Sequence, residues 1–172
     1  MRGLAKLPAV AISDQDRERL QRCVALARTA LDAGDEPFGS ILVDGDGSIL
    51  FEDRNRIKEG AHGGDATRHP EFAIARWAAE QLTPEQRAGA TVYTSGEHCP
   101  MCSAAHAWVG LGRIVYVASS AQLRDWLNEW GVAPGPVAAL PISAIAPGIA
   151  VDGPEPDLGE QVRALYEAAF RP

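Results

Sequence analysis

The sequence predicts one α/β domain in which a single mixed sheet lies between two layers of helices. A hairpin pattern near the amino end is followed by alternating β-prone and helical segments, which is typical of a sheet covered on both faces. The chain has 172 residues, of which 46% are apolar, and this composition suits one domain with a substantial core. No repeat or Gly/Ser-rich linker divides it, so we expect a single domain over residues 1–172.

The first helix is predicted to begin at Ser13, an N-cap residue with Asp16 three positions later. Apolar residues recur at helical spacing from there until Gly34, which is expected to end the helix. Cys23 lies on this apolar stripe, and we therefore expect it to be an unreactive core residue.

The remaining elements follow from local patterns. The turn sequence Asp-Gly-Asp-Gly at 44–47 indicates a hairpin, and the polar stretch 55–68 indicates an irregular loop. Proline in the first turn is compatible with a helix, since the missing N–H has no intrahelical partner there. Strands are predicted at 39–43, 48–52, 90–94, 113–117 and 140–145, and helices at 69–82, 99–109, 120–130 and from Asp157, as N-cap, through Phe170.

Charge and hydropathy narrow the class of partner. The formal net charge is −7 and no basic stripe is present, so a small-molecule substrate is more consistent with the sequence than a nucleic acid. No window approaches the ~20 apolar residues of a membrane helix, and the apolar run at the amino end is too short and broken for a signal peptide. We therefore expect a soluble, cytoplasmic protein with no membrane contact.

Two predicted helices begin with residues that bind metals. His69 and Glu71 open the first, and Cys99 and Cys102 open the second, where the positive end of the helix favours thiolates. Two thiolates and one imidazole leave the fourth tetrahedral position of zinc open for water, as in catalytic sites. A redox role for the cysteine pair would leave His69 and Glu71 unexplained.

These motifs resemble the zinc-dependent cytidine-deaminase superfamily, whose signature is H-x-E followed by P-C-x-x-C. In order along residues 13–120, "EPFGSILV", "RNR" at 54–56, "TRHPE" and "YTSGEHCPMC" are similar to segments of bacterial guanine deaminases, fungal-type cytosine deaminases and tRNA adenosine deaminases. The resemblance implies a cytidine-deaminase-like, three-layer α/β/α fold with a central mixed five-stranded sheet. It also implies a Zn²⁺ cofactor on His69, Cys99 and Cys102, with Glu71 moving protons during hydrolytic release of ammonia from a nucleobase-like heterocycle.

The resemblance further implies the residues that surround the substrate. Asn55 matches a base-contacting asparagine, and Phe38 and Trp108 match positions near the ring. A turn role for Asn55 and a packing role for Trp108 remain alternatives. Phe170, on the last helix, matches a helix that often closes such pockets. The Pro-rich segment 131–172 departs from the family and is expected to form a divergent pocket wall, and a homodimer is implied as well.

Several alternatives stay open at this point. Guanine, cytosine, isocytosine and aminotriazine types all fit the motifs as substrates. A tRNA adenosine deaminase is disfavoured because the last helix carries little positive charge, and a zinc-stabilised binding scaffold is disfavoured by the intact Glu71. His98 stands where the family usually has proline, and we expect it not to be a metal ligand, because three protein ligands already leave the one position that water needs. His106 is expected to be a packed core or interface histidine.

Overall fold

The computed structural model describes residues 11–171. The amino-terminal segment, for which we expect no signal peptide, lies outside these residues. Within the described part, no helix has both the length and the apolar character needed to span a bilayer.

The described residues form a five-stranded sheet and seven α-helices. Strands β1 and β2 form an antiparallel hairpin, β1 also pairs antiparallel with β3, and β3, β4 and β5 run parallel, so the order is β2-β1-β3-β4-β5. In chain order the elements are α1 (Asp14–Asp32), β1 (Gly39–Val43), β2 (Ile49–Arg54), a 3-10 turn (Ala61–Gly63), α2 (Pro70–Gln81), α3 (Pro84–Gly89), β3 (Thr91–Gly96), α4 (Pro100–Val109), β4 (Arg113–Ala118), α5 (Ser120–Glu129), α6 (Ile142–Ile145), β5 (Val151–Asp152) and α7 (Pro156–Phe170).

Helices cover both faces of the sheet, and each face has its own apolar core. Helices α1, α5 and α7 pack on one face around a cluster that includes Leu20 and Tyr166, while α2, α4 and α6 pack on the other around a cluster that includes Ile74 and Ile114. Burial on both faces explains why β1, β3 and β4 read as nearly continuous apolar runs. The predicted three-layer α/β/α architecture with a mixed sheet is confirmed.

Local sequence patterns correctly predicted the start of α1 and the hairpin turn between β1 and β2. The Ser13 hydroxyl accepts the Asp16 backbone N–H at 3.1 Å, and the Asp16 carboxylate accepts the Ser13 N–H at 2.9 Å, which is a complete capping box. Cys23 is fully buried in the core, as expected. In the hairpin turn, the Asp44 carboxylate accepts two backbone N–H groups and Gly47 has a positive φ of 89°.

The carboxyl-terminal third differs from expectation in two places. The segment 140–145 is not a strand, because Ile142–Ile145 forms a short helix after Pro141, and the fifth strand is the two-residue Val151–Asp152. An apolar run of this length fits a strand or a buried helical turn equally well, and a two-residue strand has no detectable period. In addition, Glu155 rather than Asp157 caps α7, its carboxylate accepting the Leu158 N–H at 2.9 Å.

Candidate active site

Two helix starts bring three ligand side chains together. His69 is the N-cap of α2 and Cys99 is the N-cap of α4, with Cys102 in the first turn of α4. Both helices have proline at their first position, Pro70 and Pro100, where no hydrogen bond is lost. Nδ1 of His69 lies 3.6 Å from Sγ of Cys99 and 3.6 Å from Sγ of Cys102. Among the described residues, these three form the cluster whose ligand atoms all lie within 4.8 Å of one another.

The geometry and the donor types fit zinc. A nitrogen about 2.1 Å and a sulfur about 2.3 Å from one tetrahedral zinc ion are about 3.6 Å apart, which matches both observed separations. A hydrogen bond from Cys102, together with His69, lowers the pKa of the Cys99 thiol to about 4 despite its burial. The cluster therefore supplies a thiolate at neutral pH, the form of cysteine that binds metals.

Glu71 lies beside the cluster and is 5% exposed. Its Oε1 is 3.0 Å from the Ser40 hydroxyl and 2.9 Å from the Thr94 hydroxyl, and its Oε2 is 3.7 Å from Sγ of Cys102. Burial raises the pKa of Glu71, and the positive charge of His69 opposes this effect. Two hydroxyls thus hold one carboxylate oxygen while the other points toward the metal ligands.

A cavity of about 570 Å³ opens onto the cluster. Its floor includes His69, Glu71 and Cys99, and much of its wall comes from the Pro-rich segment 132–139 and from α5. Phe38 and Phe170 also line it, so the structure brings both predicted contact residues to the same space as the metal cluster. The volume lies within the range of pockets that bind small molecules.

Asn55 is fully buried directly after β2 and is not among the residues that line the cavity. Its Oδ1 accepts the Ile57 N–H at 3.1 Å, and its backbone N–H donates to the Phe38 carbonyl at 2.9 Å. Its side-chain Nδ2 has no partner among the described residues. The hydrogen bond to Oδ1 is the one expected if Asn55 stabilises a turn. The Nδ2 group of the same side chain could still donate to another group.

Trp108 does not reach the cavity. Its side chain is 87% exposed and does not line the space around the cluster. Successive residues of an α-helix are turned by about 100°, so Trp108 lies roughly 200° around α4 from the buried His106 and faces away from the sheet. The prediction that Trp108 lies near the substrate ring is not supported by this placement, which leaves it on the outer face of α4.

His98 lies outside the metal cluster, as expected. Its ring is 1% exposed and packs edge-on against His106, with ring centroids 5.3 Å apart. Neither ring nitrogen of His98 has a hydrogen-bond partner in the described chain. His106 is also 1% exposed, and its Nε2 lies 2.9 Å from the Gly112 carbonyl oxygen. Both rings therefore belong to the packing behind α4.

Sequence reasoning missed four polar residues of the site. Ser40 and Thr94 lie at inward positions of β1 and β3, but a hydroxyl within an apolar run gives no sign of its partner. Glu97 lines the cavity, and its carboxylate accepts the Ser120 N–H at 2.8 Å and the Ile142 N–H at 2.9 Å. Glu36 lines the cavity as well. Glu36 and Glu97 lie within the "EPFG" and "GEHCPMC" segments, and this was the available signal.

Comparison with known proteins agrees with this geometry. The model for the cytidine and deoxycytidylate deaminase zinc-binding region matches residues 13–118. A probable cytosine deaminase of Schizosaccharomyces pombe is 29% identical over 123 residues, which cover 72% of this chain and 72% of that protein. The tRNA-specific adenosine deaminase of Agrobacterium fabrum is 37% identical over 92 residues, or 54% of this chain and 58% of that protein.

The fold agrees with a solved relative. The structure of guanine deaminase from Bacillus subtilis matches with a TM-score of 0.54 and 29% identity, over 73% of this chain and 82% of that one. The matched family region contains all three ligand residues and Glu71. The chain therefore belongs to the family defined by the cytidine and deoxycytidylate deaminase zinc-binding region, and it is a zinc-dependent hydrolase that acts on the C–N bonds of nucleobases.

Proposed function

We propose that this protein hydrolytically deaminates a free amino-substituted base or a related heterocycle, of the guanine, cytosine, isocytosine or aminotriazine type. The observation that carries the proposal is the placement of Glu71, which shares the cavity with His69 and Cys99 and lies beside Cys102. Bound zinc would supply an activated water as the nucleophile. The largely apolar wall of the cavity suits a flat ring.

Glu71 is proposed to carry the protons of the reaction. Hydrolytic deamination requires a proton to leave the attacking water and protons to reach the ring nitrogen and the departing ammonia. The hydroxyls of Ser40 and Thr94 anchor Oε1, so that Oε2 is the oxygen directed toward the cluster. One carboxylate held in this way serves as acceptor first and donor afterwards.

Three side chains are proposed to hold the ring. The Nδ2 group of Asn55 is buried and unpartnered within the described residues, which supports a hydrogen bond to a ring carbonyl or ring nitrogen. Phe38 and Phe170 line the cavity from different elements and offer apolar surfaces to the ring. Phe170 and the segment 132–139 support the view that the divergent region 131–172 closes the pocket.

The test is ammonia release from a panel of bases and nucleosides. The parent protein should act on at least one base, and Glu71→Gln should reduce kcat by at least about 100-fold, because a neutral amide cannot take up the proton. Glu80→Gln is a matched control, since Glu80 is exposed on the same helix. Equal activity of the parent and Glu71→Gln proteins would contradict the proposed role.

The same panel separates the alternative functions. Activity on an anticodon stem-loop but on no base would support a tRNA adenosine deaminase. We expect no activity on the stem-loop, because the chain has a net charge of −7. Zinc binding without release of ammonia from any compound would support a binding scaffold. We further propose that the protein is a cytoplasmic homodimer. The exposed Trp108 supports an interface between two copies, and the need for reduced Cys99 and Cys102 as zinc ligands supports a reducing compartment.

A further inference from the structure

The three glutamates that line the cavity differ in their partners. Glu71 is held by Ser40 and Thr94, and both carboxylate oxygens of Glu97 accept backbone N–H groups. The Glu36 carboxylate has neither a hydrogen bond nor an ion pair within the described part of the chain, although the residue is half-buried. Partial burial of a carboxylate without a hydrogen-bond partner is unfavourable. Of the three glutamates, Glu36 is therefore the one whose position no contact within the described chain explains.

The backbone around Glu36 is fixed. The neighbouring Asp35 is 4% exposed and accepts hydrogen bonds from the Arg54 guanidinium at 2.7 Å and from the Lys58 N–H at 2.8 Å. The Glu36 carbonyl accepts the Phe38 N–H at 2.8 Å, and the Phe38 carbonyl accepts the Asn55 N–H at 2.9 Å. Glu36 is therefore presented to the cavity by a segment that is anchored on both sides.

The rest of the cavity offers Glu36 no neutralising group in contact. Among the described lining residues, Arg124 is the only lysine or arginine, and its guanidinium pairs with Asp125 at 2.8 Å. His69 contacts the two cysteines, and Lys58 is exposed and forms no ion pair with any described residue. Burial raises the pKa of Glu36, while His69 and Lys58 act in the opposite direction. A ligand that brings N–H donors would satisfy the carboxylate.

We propose that Glu36 is a specificity-determining residue that accepts a hydrogen bond from a ring N–H of the substrate. This inference rests on the proposed deaminase function. In the proposed function the metal cluster and Glu71 serve the reacting carbon, so Glu36, a separate residue that lines the same cavity, is assigned to another edge of the ring. In a free base, the ring nitrogen that would carry the sugar bears an N–H, whereas in a nucleoside the same nitrogen bears the sugar and no hydrogen. Glu36 therefore selects free bases over nucleosides.

Matched N-methylated substrates test this directly. The pairs are cytosine and 1-methylcytosine, guanine and 9-methylguanine, and adenine and 9-methyladenine. A base of roughly 10 heavy atoms occupies at most about 300 Å³ at the volume of liquid water, so a cavity of about 570 Å³ has room for one methyl group. At a nitrogen that contacts Glu36, methylation removes the donor and also places the methyl group against the carboxylate, so a loss of activity that depends on Glu36 reports contact with this nitrogen.

The experiment measures kcat and KM of the parent, Glu36→Ala, Glu36→Gln and the exposed control Glu18→Ala, with zinc content determined for each. The parent should prefer the unmethylated base by roughly 100-fold or more. Glu36→Ala should lower kcat/KM for that base about 10- to 100-fold, mainly through KM, and should not lower kcat/KM for the methylated base, so that the preference disappears. Glu36→Gln should be intermediate, because its amide oxygen still accepts a hydrogen bond.

Two results would overturn the inference: an equal loss on both members of a pair, or a preference that persists in Glu36→Ala. If the parent deaminates no base, the proposed function fails instead. In that case, calorimetric titration of the same pairs into the parent and Glu36→Ala proteins still tests Glu36, since the binding preference should disappear in the variant. Binding of both members with equal affinity by the parent would also contradict the inference.

Discussion

Acidification should destabilise this protein through His106, a residue away from the proposed chemistry. The imidazole is 1% exposed, its Nε2 lies 2.9 Å from the Gly112 carbonyl oxygen, and its Nδ1 has no partner among the described residues. Burial lowers the pKa of His106 to about 4, from the ordinary value of 6.5 that applies to the unfolded chain. Between these two pH values the unfolded chain binds a proton that the folded protein does not bind.

The sign and the size follow from this difference. Stability contributed by the neutral imidazole is fully present above pH 6.5 and is lost as the pH falls toward 4. A shift of 2.5 units (6.5 − 4) at about 1.4 kcal/mol per unit gives a total of about 3 kcal/mol. At pH 5, about 2 kcal/mol of this stability should already be lost.

The assay is urea unfolding at pH 7.5 and pH 5.0, with zinc in excess, for the parent and His106→Gln. The glutamine stays neutral and can still donate to the Gly112 carbonyl. Both proteins keep the same zinc ligands and His98, whose pKa is lowered mainly by burial and only secondarily by His106, so other pH-dependent contributions largely cancel in the comparison. His62→Asn is the control, since His62 is exposed and asparagine tolerates its positive φ of 60°.

We expect the parent to lose about 2 kcal/mol more than His106→Gln between the two pH values. The His62→Asn protein should behave like the parent. If the parent and His106→Gln lose stability equally, within about 0.5 kcal/mol, the buried neutral imidazole does not control the acid response and the reasoning is refuted.

Three further predictions concern the metal site and the core. Cys99→Ser should lower zinc content to a small fraction of one ion per chain by atomic absorption, and the parent treated with a strong chelator should lose activity that zinc then restores. Ser40→Ala should lower kcat about 10-fold with zinc content unchanged, because Glu71 loses one of its two anchoring hydroxyls; an unchanged kcat would exclude this role. Gly39→Ala should cost about 1–3 kcal/mol in urea unfolding, since an added Cβ would lie 2.5 Å from the Cys23 carbonyl oxygen, whereas Gly148→Ala, with nothing within 4 Å, should be close to neutral.

Local signals predicted most of the architecture. Ser13 with Asp16 marked the first helix, and the Asp-Gly-Asp-Gly turn marked the hairpin, because each depends on hydrogen bonds between residues close in sequence. The helix Pro84–Gly89 is not among the elements predicted from the sequence, although Thr83 and Gln86 form a capping box. The carboxyl-terminal third was harder to predict. The turn at Ile142 depends on the Glu97 carboxylate, which lies 45 residues earlier in the chain.

The sequence by itself determined which three residues are positioned to bind zinc and which glutamate is proposed to carry protons, because zinc chemistry restricts the residue types and two helix starts restrict their spacing. Only the tertiary structure decided which other groups share that cavity. It brought Glu36 to the cavity wall, placed the Ser40 and Thr94 hydroxyls beside Glu71, and turned Trp108 away to the surface. The physical reason is that each of these positions depends on packing between elements distant in sequence, for which a single chain carries no local pattern.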